Sequence, residues 1–168
     1  MTVFAIAMHA QNQPSKPAFK DRLVFGGDFS LAFGNNTLVG ISPQVGYKIT
    51  DKWIAGVGLN YYYFSFNSPG YVKYSTSMYG GNYFTRYHIL DQLFVHTEFQ
   101  GINVEYYESP FSNELTRGWV PIWYVGGGFY ARIGSNAYLG ATILIDLIED
   151  HRSPWSNPVF RVGGMLGI

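Results

Sequence analysis

Apolar and polar residues alternate one by one along most of this chain. Between Leu38 and Thr50, every second residue from Val39 to Ile49 is apolar or aromatic, and most of the residues between them are small or polar. Side chains of a β-strand point to opposite faces in turn, so this period predicts strands that each have one apolar face. Segments of this kind fill the chain from Arg22 to Ile168 and predict an all-β fold.

Turn residues divide this part of the chain into eight predicted strands: 22–33, 38–50, 52–64, 75–89, 92–101, 119–133, 137–148 and 158–168. Their connections alternate in length. Tight turns are expected at 50–52, 90–92 and 134–136, and loops that are mostly longer at 34–37, 65–74, 102–118 and 149–157. Short turns at one end and longer loops at the other are typical of outer-membrane barrels. The pattern therefore predicts an eight-stranded antiparallel up-and-down transmembrane β-barrel.

The composition indicates which face of these strands meets lipid. Only 13% of the residues are charged and 18% are aromatic, whereas soluble domains carry roughly 25% Asp, Glu, Lys and Arg. The apolar positions of the predicted strands hold none of these four residues, and a Lys or Arg at the lipid-facing midplane would cost about 2 to 4 kcal/mol. We expect the apolar face to point outward into lipid. The alternative is a soluble β-core rich in tyrosine, which would place the same face inside.

Other bulk properties exclude several classes of protein. No run of the sequence reaches the roughly 18 apolar residues of a spanning helix. The formal net charge is zero, which indicates no surface for a polyanion such as nucleic acid. Cysteine is absent, so disulfide scaffolds and thiolate sites are excluded.

The first twenty residues differ from the strand segments. Residues 1–10 are apolar and small, and three alanines precede a plausible cleavage point at Gln11, which is typical of the end of a secretory signal peptide. An ordinary apolar tail is the alternative. Residues 11–20 are polar with two prolines and predict a flexible linker. The predicted organisation is a partial signal peptide over 1–10, a periplasmic linker over 11–20 and the barrel over 21–168.

The polar face is expected to fill the interior of the barrel. Eight strands enclose only enough space for side chains, and glycines lie between the large residues of this face. Counted from the turns, five charged or titratable residues fall at a similar depth, where they could neutralise one another: Asp28, Arg86, His96, Glu98 and Arg161. We expect this polar network to close the lumen to bulk flow.

Aromatic residues are expected at both edges of the lipid-facing band, as in the girdles of membrane barrels. Tyr47, Trp53 and Tyr87 lie near the turns, and a second group lies towards the loops: 61–64, 106–107, Trp119, Trp123 and Trp155. The longest predicted loop also holds three candidate contact residues, since exposed aromatic side chains often bind partners. They are Tyr106, Tyr107 and Phe111. Packing on the barrel rim is the alternative.

Two groups of residues could carry chemistry. Asp150, His151 and Ser153 are close together in the last loop, but a nucleophile needs its base within about 2.6 to 3.2 Å, and a solvated loop is the simpler interpretation. His88, His96 and Glu98 are residue types that bind zinc, but Arg86 is expected opposite His96, where it would repel a cation. We predict no catalytic, cofactor or metal site.

Short motifs in the barrel segment resemble a known family. The stretch from Ile41 to Lys52, followed by Gly56-Val57-Gly58, resembles the second hairpin of the small outer-membrane β-barrels common in Bacteroidetes, which are related in architecture to OmpX and the OmpA transmembrane domain. The motif Phe84-Thr85-Arg86-Tyr87 and Glu98 are similar to the interior Arg and Glu of that family, and 125–128 is similar to its sixth strand. The resemblance implies a barrel in the outer membrane of a Gram-negative bacterium.

The end of the chain is similar to the assembly signal of outer-membrane barrels. It has a glycine at Gly163 and hydrophobic residues at Leu166 and Ile168, where the signal usually has aromatic residues. The resemblance implies recognition by the barrel-assembly machinery; a plain terminal strand is the alternative.

Together these patterns predict a structural or surface-interaction role for an outer-membrane barrel. A narrow channel for small solutes is the first alternative, and a lipid A-modifying barrel enzyme is the second. The expected partners are outer-membrane lipid, lipopolysaccharide and the barrel-assembly machinery. We expect no cofactor and no nucleic acid partner, and we expect a monomer.

Overall fold

The computed structural model of the protein describes residues 19–32, 36–66, 73–107 and 115–167, without the side chains of residues 32 and 36. A short 3-10 helix, Phe19–Arg22, precedes the strands, and no helix in these residues is long and apolar enough to cross a membrane. The strands are β1 Leu23–Ala32, β2 Asn36–Lys48, β3 Trp53–Phe66, β4 Tyr74–His88, β5 Leu93–Tyr107, β6 Leu115–Arg132, β7 Ala137–Asp146 and β8 Val159–Leu166.

The strands form one closed sheet. Each strand pairs antiparallel with the next, and β1 also pairs with β8 from Phe25–Leu166 to Phe29–Val162. The predicted all-β fold, an eight-stranded antiparallel up-and-down barrel, is confirmed. The expected signal peptide over 1–10 lies outside the described residues, as does the linker up to residue 18. The described end of that linker forms the 3-10 helix, where Phe19 stacks on Tyr47 with ring centroids 5.2 Å apart.

Three tight turns lie at one end of the barrel, here called the turn end; the opposite end is the loop end. Ile49 N donates to Trp53 O at 2.8 Å, Ile89 N to Leu93 O at 2.9 Å, and Ile133 N to Ala137 O at 2.9 Å. In the first turn, Thr50 Oγ1 also accepts from Trp53 N at 3.1 Å. Such side-chain bonds explain why the sequence turns there.

Strands β5 and β6 extend well beyond their predicted ends. β5 continues to Tyr107 instead of 101, and β6 begins at Leu115 instead of 119. Most of the expected loop over 102–118 is therefore a strand pair whose register continues to Tyr107–Leu115. The prediction was wrong here because the apolar residues, which point outward lower down, move to the inward positions of these strands. Above this level the apolar residues, such as Val104, point inward, and the polar residues, such as Glu105, point outward.

Glycines on the inward face allow close approach of groups on the neighbouring strands. A Cβ at Gly40 would lie 2.2 Å from Tyr62 Cδ1, and a Cβ at Gly126 would lie 2.0 Å from the backbone oxygen of Ile143. Neither distance is compatible with a larger residue unless neighbouring atoms move. Glycine is therefore needed at these positions because the narrow interior leaves no room for a Cβ atom.

We expect Gly126→Ala to lower the free energy of unfolding by roughly 1 to 3 kcal/mol, the usual effect of overpacking. The matched control is Gly81→Ala on the outward face, where the nearest atom to an added Cβ is 3.4 Å away. Urea unfolding in detergent micelles, followed by far-UV circular dichroism, measures both. Equal stability of the two variants would contradict the conclusion that position 126 has no room for a Cβ atom.

Candidate functional site

All five residues of the predicted network lie inside the barrel. Asp28 is on β1, Arg86 on β4, His96 and Glu98 on β5, and Arg161 on β8, and each is at most 8% exposed. The strand register places Arg86 directly opposite His96. Because residues i and i+2 share a face of a strand, His96 and Glu98 point into the lumen together.

A buried ion pair joins opposite sides of the barrel. Arg161 Nη1 donates to both Glu98 carboxylate oxygens at 3.1 Å, and Arg161 Nη2 donates to Gln100 Oε1 at 3.4 Å. The guanidinium carbon also lies 4.8 Å from the centroid of the Tyr124 ring. Both charged side chains are almost fully buried, at 4% and 0% exposure. The carboxylate and the guanidinium therefore satisfy each other away from water.

His96 connects this pair to Arg86. Its Nε2 donates to Glu98 Oε2 at 3.3 Å, while its Nδ1 accepts from Arg86 Nε at 3.4 Å. These partners assign the neutral tautomer with the hydrogen on Nε2. Four of the five predicted residues are thus linked in one chain of hydrogen bonds.

Arg86 is held by aromatic rings. Its Nη1 donates to the Tyr130 hydroxyl at 2.7 Å, and its guanidinium carbon lies 4.8 to 5.4 Å from the ring centroids of Phe94, Tyr130 and Phe84. Cation–π contacts of this kind stabilise a desolvated guanidinium. Among the described residues no carboxylate forms an ion pair with Arg86.

Asp28 stands apart from that chain. Its only hydrogen-bond partner in the described part of the structure is Gln44 Nε2, at 3.4 Å. The expectation that two arginines, two carboxylates and a histidine compensate one another is therefore met by contact for four of these residues. Asp28 forms no ion pair with either arginine, so its interaction with them is electrostatic attraction at a distance.

The lumen is less polar than the alternation indicates. Glu98 and Arg161 lie between two apolar clusters, and Arg86 is enclosed by the cluster nearer the turns. The cluster at the loop end comprises Tyr62, Met78, Ile102, Val104, Val120, Ile122, Tyr124 and Leu144. The cluster at the turn end comprises Val24, Ile54, Phe84, Phe94, Tyr130 and Met165. The lumen that we expect a polar network to fill thus also holds two apolar clusters.

Trp155 closes the loop end from above. It lies in the last loop and packs edge-on against Tyr62, with ring centroids 4.8 Å apart. It therefore faces the mouth of the lumen and does not join the outer aromatic girdle expected from the sequence. No periodic pattern in the loop could have indicated this contact.

The contact candidates of the longest loop have different surroundings. Tyr107 is 57% exposed at the end of β5, whereas Tyr106 is half-buried against the loop-end cluster, with the Arg152 guanidinium carbon 5.4 Å from its ring centroid. Phe111 lies outside the described residues. Of the three, Tyr107 is the side chain that the structure places at the surface.

A polar cluster that the sequence did not indicate lies outside the barrel near the loop end. Arg117 Nε donates to Glu105 Oε1 at 2.9 Å, and Arg117 Nη1 donates to Asn103 Oδ1 at 3.2 Å. Arg117 Nη2 donates to Ser77 O at 3.0 Å, which joins β4, β5 and β6. The sequence feature that could have revealed this cluster is the appearance of polar residues at the outward positions near the loop ends of β5 and β6.

The candidate catalytic residues of the last loop do not form a triad. Asp150 Oδ1 and Oδ2 accept from Arg152 Nε and Nη2 at 3.0 and 2.6 Å, and this guanidinium holds the pKa of Asp150 well below its usual value. The His151 side chain is 90% exposed, with its Nδ1 3.6 Å from Asp150 Oδ1. Ser153 Oγ is buried and has no hydrogen-bond partner among the described residues.

The candidate metal ligands are also separated. His96 and Glu98 are in contact, but His88 packs against the Phe94 ring, with centroids 5.8 Å apart. Within the described ranges no group of three or more His, Asp or Glu side chains could hold a metal ion.

The residues of the C-terminal signal are partly described. Gly163 faces inward, where a Cβ would lie 2.1 Å from Asp28 Oδ1, and Leu166 faces outward at 57% exposure. Ile168 lies outside the described residues.

Two solved structures with low similarity are among the matches to known proteins. One is the crystal structure of the N-terminal β-barrel domain of Pseudomonas aeruginosa OprF, with 15% identity, coverage of 86% of this chain and 95% of that chain, and a TM-score of 0.44. The other comes from the de novo design of transmembrane β-barrels, with 12% identity, coverage of 92% and 98%, and a TM-score of 0.43. No family model and no curated protein matches the chain. The description of the barrel therefore rests on its strand pairing.

We expect Arg161→Met to lower the free energy of unfolding by about 3 to 5 kcal/mol, because Glu98 would keep a buried charge without its partner. The double variant Glu98→Leu, Arg161→Met should recover most of this loss, since an apolar pair needs no desolvation of charge. Thermal unfolding in detergent measures both.

The matched control for the loss of charge is Arg132→Met. Arg132 is exposed and donates to turn carbonyls, including Gly134 O at 2.9 Å. A double variant as unstable as Arg161→Met alone would show that the pair is not the source of the effect.

Proposed function

We propose that the protein is an integral outer-membrane β-barrel with a structural or surface-interaction role, which spans the membrane as a closed barrel and presents its loop end for contacts. The observation that carries this proposal is the outward face of the strands. Among the described strand residues, the outward positions hold a charge only at Glu105 and Arg117. A surface that faced water would carry many more charges.

Two indole N–H groups on this face have hydrogen-bond partners within the protein. Trp53 Nε1 donates to Thr85 Oγ1 at 2.5 Å, and Trp123 Nε1 donates to Thr97 Oγ1 at 2.9 Å. The two threonine hydroxyls in turn donate to backbone carbonyls at 3.2 and 3.0 Å. Lipid offers no hydrogen-bond partner, so these relays support a lipid-facing surface.

The edge of the lipid-facing band is marked near the loop end. Tyr79 and Trp119 are exposed on the outward face and pack edge to face, with ring centroids 6.3 Å apart. The guanidinium carbon of Arg117 lies 5.8 Å from the Tyr79 ring centroid. Aromatic rings just on the turn side of an outward charge such as Arg117 are typical of the headgroup level of a membrane.

The packed interior supports a structural role over a channel. The two apolar clusters lie on either side of the ion pair between Arg161 and Glu98, and Trp155 covers the loop end. A chain of waters or ions would have to displace these side chains.

A non-enzymatic role is also part of the proposal. The carboxylate of Asp150 is engaged by Arg152, and His151 forms no described hydrogen bond with Ser153. Both arrangements favour a contact surface over hydrolysis at the last loop. We propose outer-membrane lipid and lipopolysaccharide as partners of the monomeric barrel, and the barrel-assembly machinery as the reader of β8.

The test of location is membrane fractionation with a gel-shift assay. We expect the protein in the outer-membrane fraction, and we expect unheated samples to migrate differently from boiled ones because a closed barrel resists the detergent. A soluble cytoplasmic marker and a known outer-membrane protein are the controls. Recovery of a folded protein that needs no detergent would contradict the proposal.

The test of closure is conductance across a planar bilayer. We expect no resolved current steps after insertion of the purified barrel, because its lumen is filled. A porin purified in the same detergent is the positive control. Reproducible steps that scale with salt concentration would show that the channel alternative is correct.

A further inference from the structure

A trough crosses the outward face of the barrel. Small or proline residues follow one another along a single row of paired positions on neighbouring strands: Gly164, Gly27, Pro43, Gly81, Gly101 and Pro121. Leu59, paired with Gly81, is the one large residue in this row. Because each pair lies further from the turn end than the one before, the row climbs from the lower part of β8 to the upper part of β6.

Large side chains form walls on both sides of this row. On the loop side the wall includes Tyr61, Tyr79 and Trp119, and on the turn side it includes Tyr83, Phe99 and Trp123. Tyr83 is 72% exposed and Trp119 is 60% exposed, so these rings stand well above the floor. The hollow between them has a volume of about 890 Å³ and extends from Phe25 on β1 to Trp119 on β6.

The fold does not require glycine at the centre of the trough. A Cβ at Gly81 would lie 3.4 Å from its nearest neighbour, the backbone oxygen of Gly58, and a Cβ at Gly101 would lie 3.8 Å from Trp119 Cε3. Both are ordinary van der Waals distances, unlike the 2.0 Å at the inward Gly80. What these two glycines provide is therefore the empty space outside them.

The shape of the trough selects a thin occupant. It is one residue row wide, and its walls would keep the convex surface of a second barrel away from the floor. Leu59 is 69% exposed and interrupts the row on β3. The part from Gly81 on β4 to Pro121 on β6 spans two strand spacings, roughly 10 Å, which suits a segment of an extended hydrocarbon chain. Within a membrane, such contacts are stabilised by close packing of small residues.

A charge lies beyond the upper end of the trough. Arg117 is two residues above Trp119 on β6 and is the only cation on the outward face of the described strands. Glu105 Oε1 lies 2.9 Å from both Nε and Nη2 of Arg117, whereas Arg117 Nη1 donates among the described residues only to Asn103. One Nη1 hydrogen is therefore available for an anionic oxygen at the headgroup level.

We infer that this trough is a binding site for an anionic phospholipid, with one acyl chain along Gly81 and Gly101 and the phosphate beside Arg117. The inference rests on the proposed location in a membrane. It adds a specific lipid site to a surface that would otherwise contact lipid uniformly.

The test is native mass spectrometry of the full chain refolded in detergent and titrated with phosphatidylglycerol. We expect wild-type protein to retain one lipid at collision energies that remove the others. Gly101→Leu should retain it roughly tenfold more weakly, because the new side chain displaces the acyl chain from its packing contacts. Ala141→Leu adds similar bulk to the outward face of β7, away from the trough, and should behave as wild type.

The phosphate contact is tested separately with diacylglycerol, which has the same chains without the charge. Arg117→Gln should weaken retention of phosphatidylglycerol and leave that of diacylglycerol unchanged, whereas Gly101→Leu should weaken both. Equal retention of phosphatidylglycerol by wild type, Gly101→Leu and Ala141→Leu would overturn the trough. Equal retention of the two lipids by wild type would overturn the role of the phosphate.

Fluorescence provides a test that needs no substitution on the trough floor. Phosphatidylglycerol with brominated acyl chains should quench tryptophan emission in a saturable phase that is largest at Trp119. Trp119→Phe should reduce the amplitude of this phase, and Trp53→Phe near the turn end should leave the amplitude unchanged. Quenching without a saturable phase in a barrel that still shows the gel shift would overturn the lipid site alone. Failure to insert at all would instead overturn the proposed function.

Discussion

The pairing of β1 with β8 is the interaction on which the rest of the structure depends. It leaves the sheet without unpaired edges through its central band, and in lipid that condition is obligatory. Closure with eight strands also fixes a narrow interior, so large inward side chains need glycine beside them. The backbone oxygen of Ile143 lies so close to Gly126 that no Cβ fits between them. The hydrogen bonds of the wall and the spacing of the glycines are thus consequences of one constraint.

Within this wall, several charged side chains are buried away from water. Two buried arginines lie in the same lumen but are stabilised in different ways. Arg161 binds the carboxylate of Glu98, whereas Arg86 lies among aromatic rings and binds a phenol. A buried charge without a partner would be costly, and the apolar clusters on either side keep water from supplying one. Stability and closure of the lumen therefore have the same source.

Much of the fold follows from the sequence because a period of two residues is a direct signature of a strand. The same alternation separates inward from outward side chains, and the five residues predicted for the central network lie inside the barrel. The ends of β5 and β6 could not be read in this way, since polar residues such as Glu105 take the outward positions there that apolar residues hold lower down. The partners of Arg86 and the position of Trp155 depend on register and loop path, which no local pattern encodes.

The extension of β6 above β7 leaves a strand edge open. β7 pairs with β6 as far as Tyr124–Asp146, and Leu147 N donates to Trp123 O at 2.8 Å. From Leu115 to Ile122, no described backbone hydrogen bond occupies this side of β6. Such an edge is a template for pairing with strands of other molecules. Pro121 removes one donor from it, because proline has no backbone N–H. Pro121 would therefore disfavour pairing of this edge with a strand of another molecule.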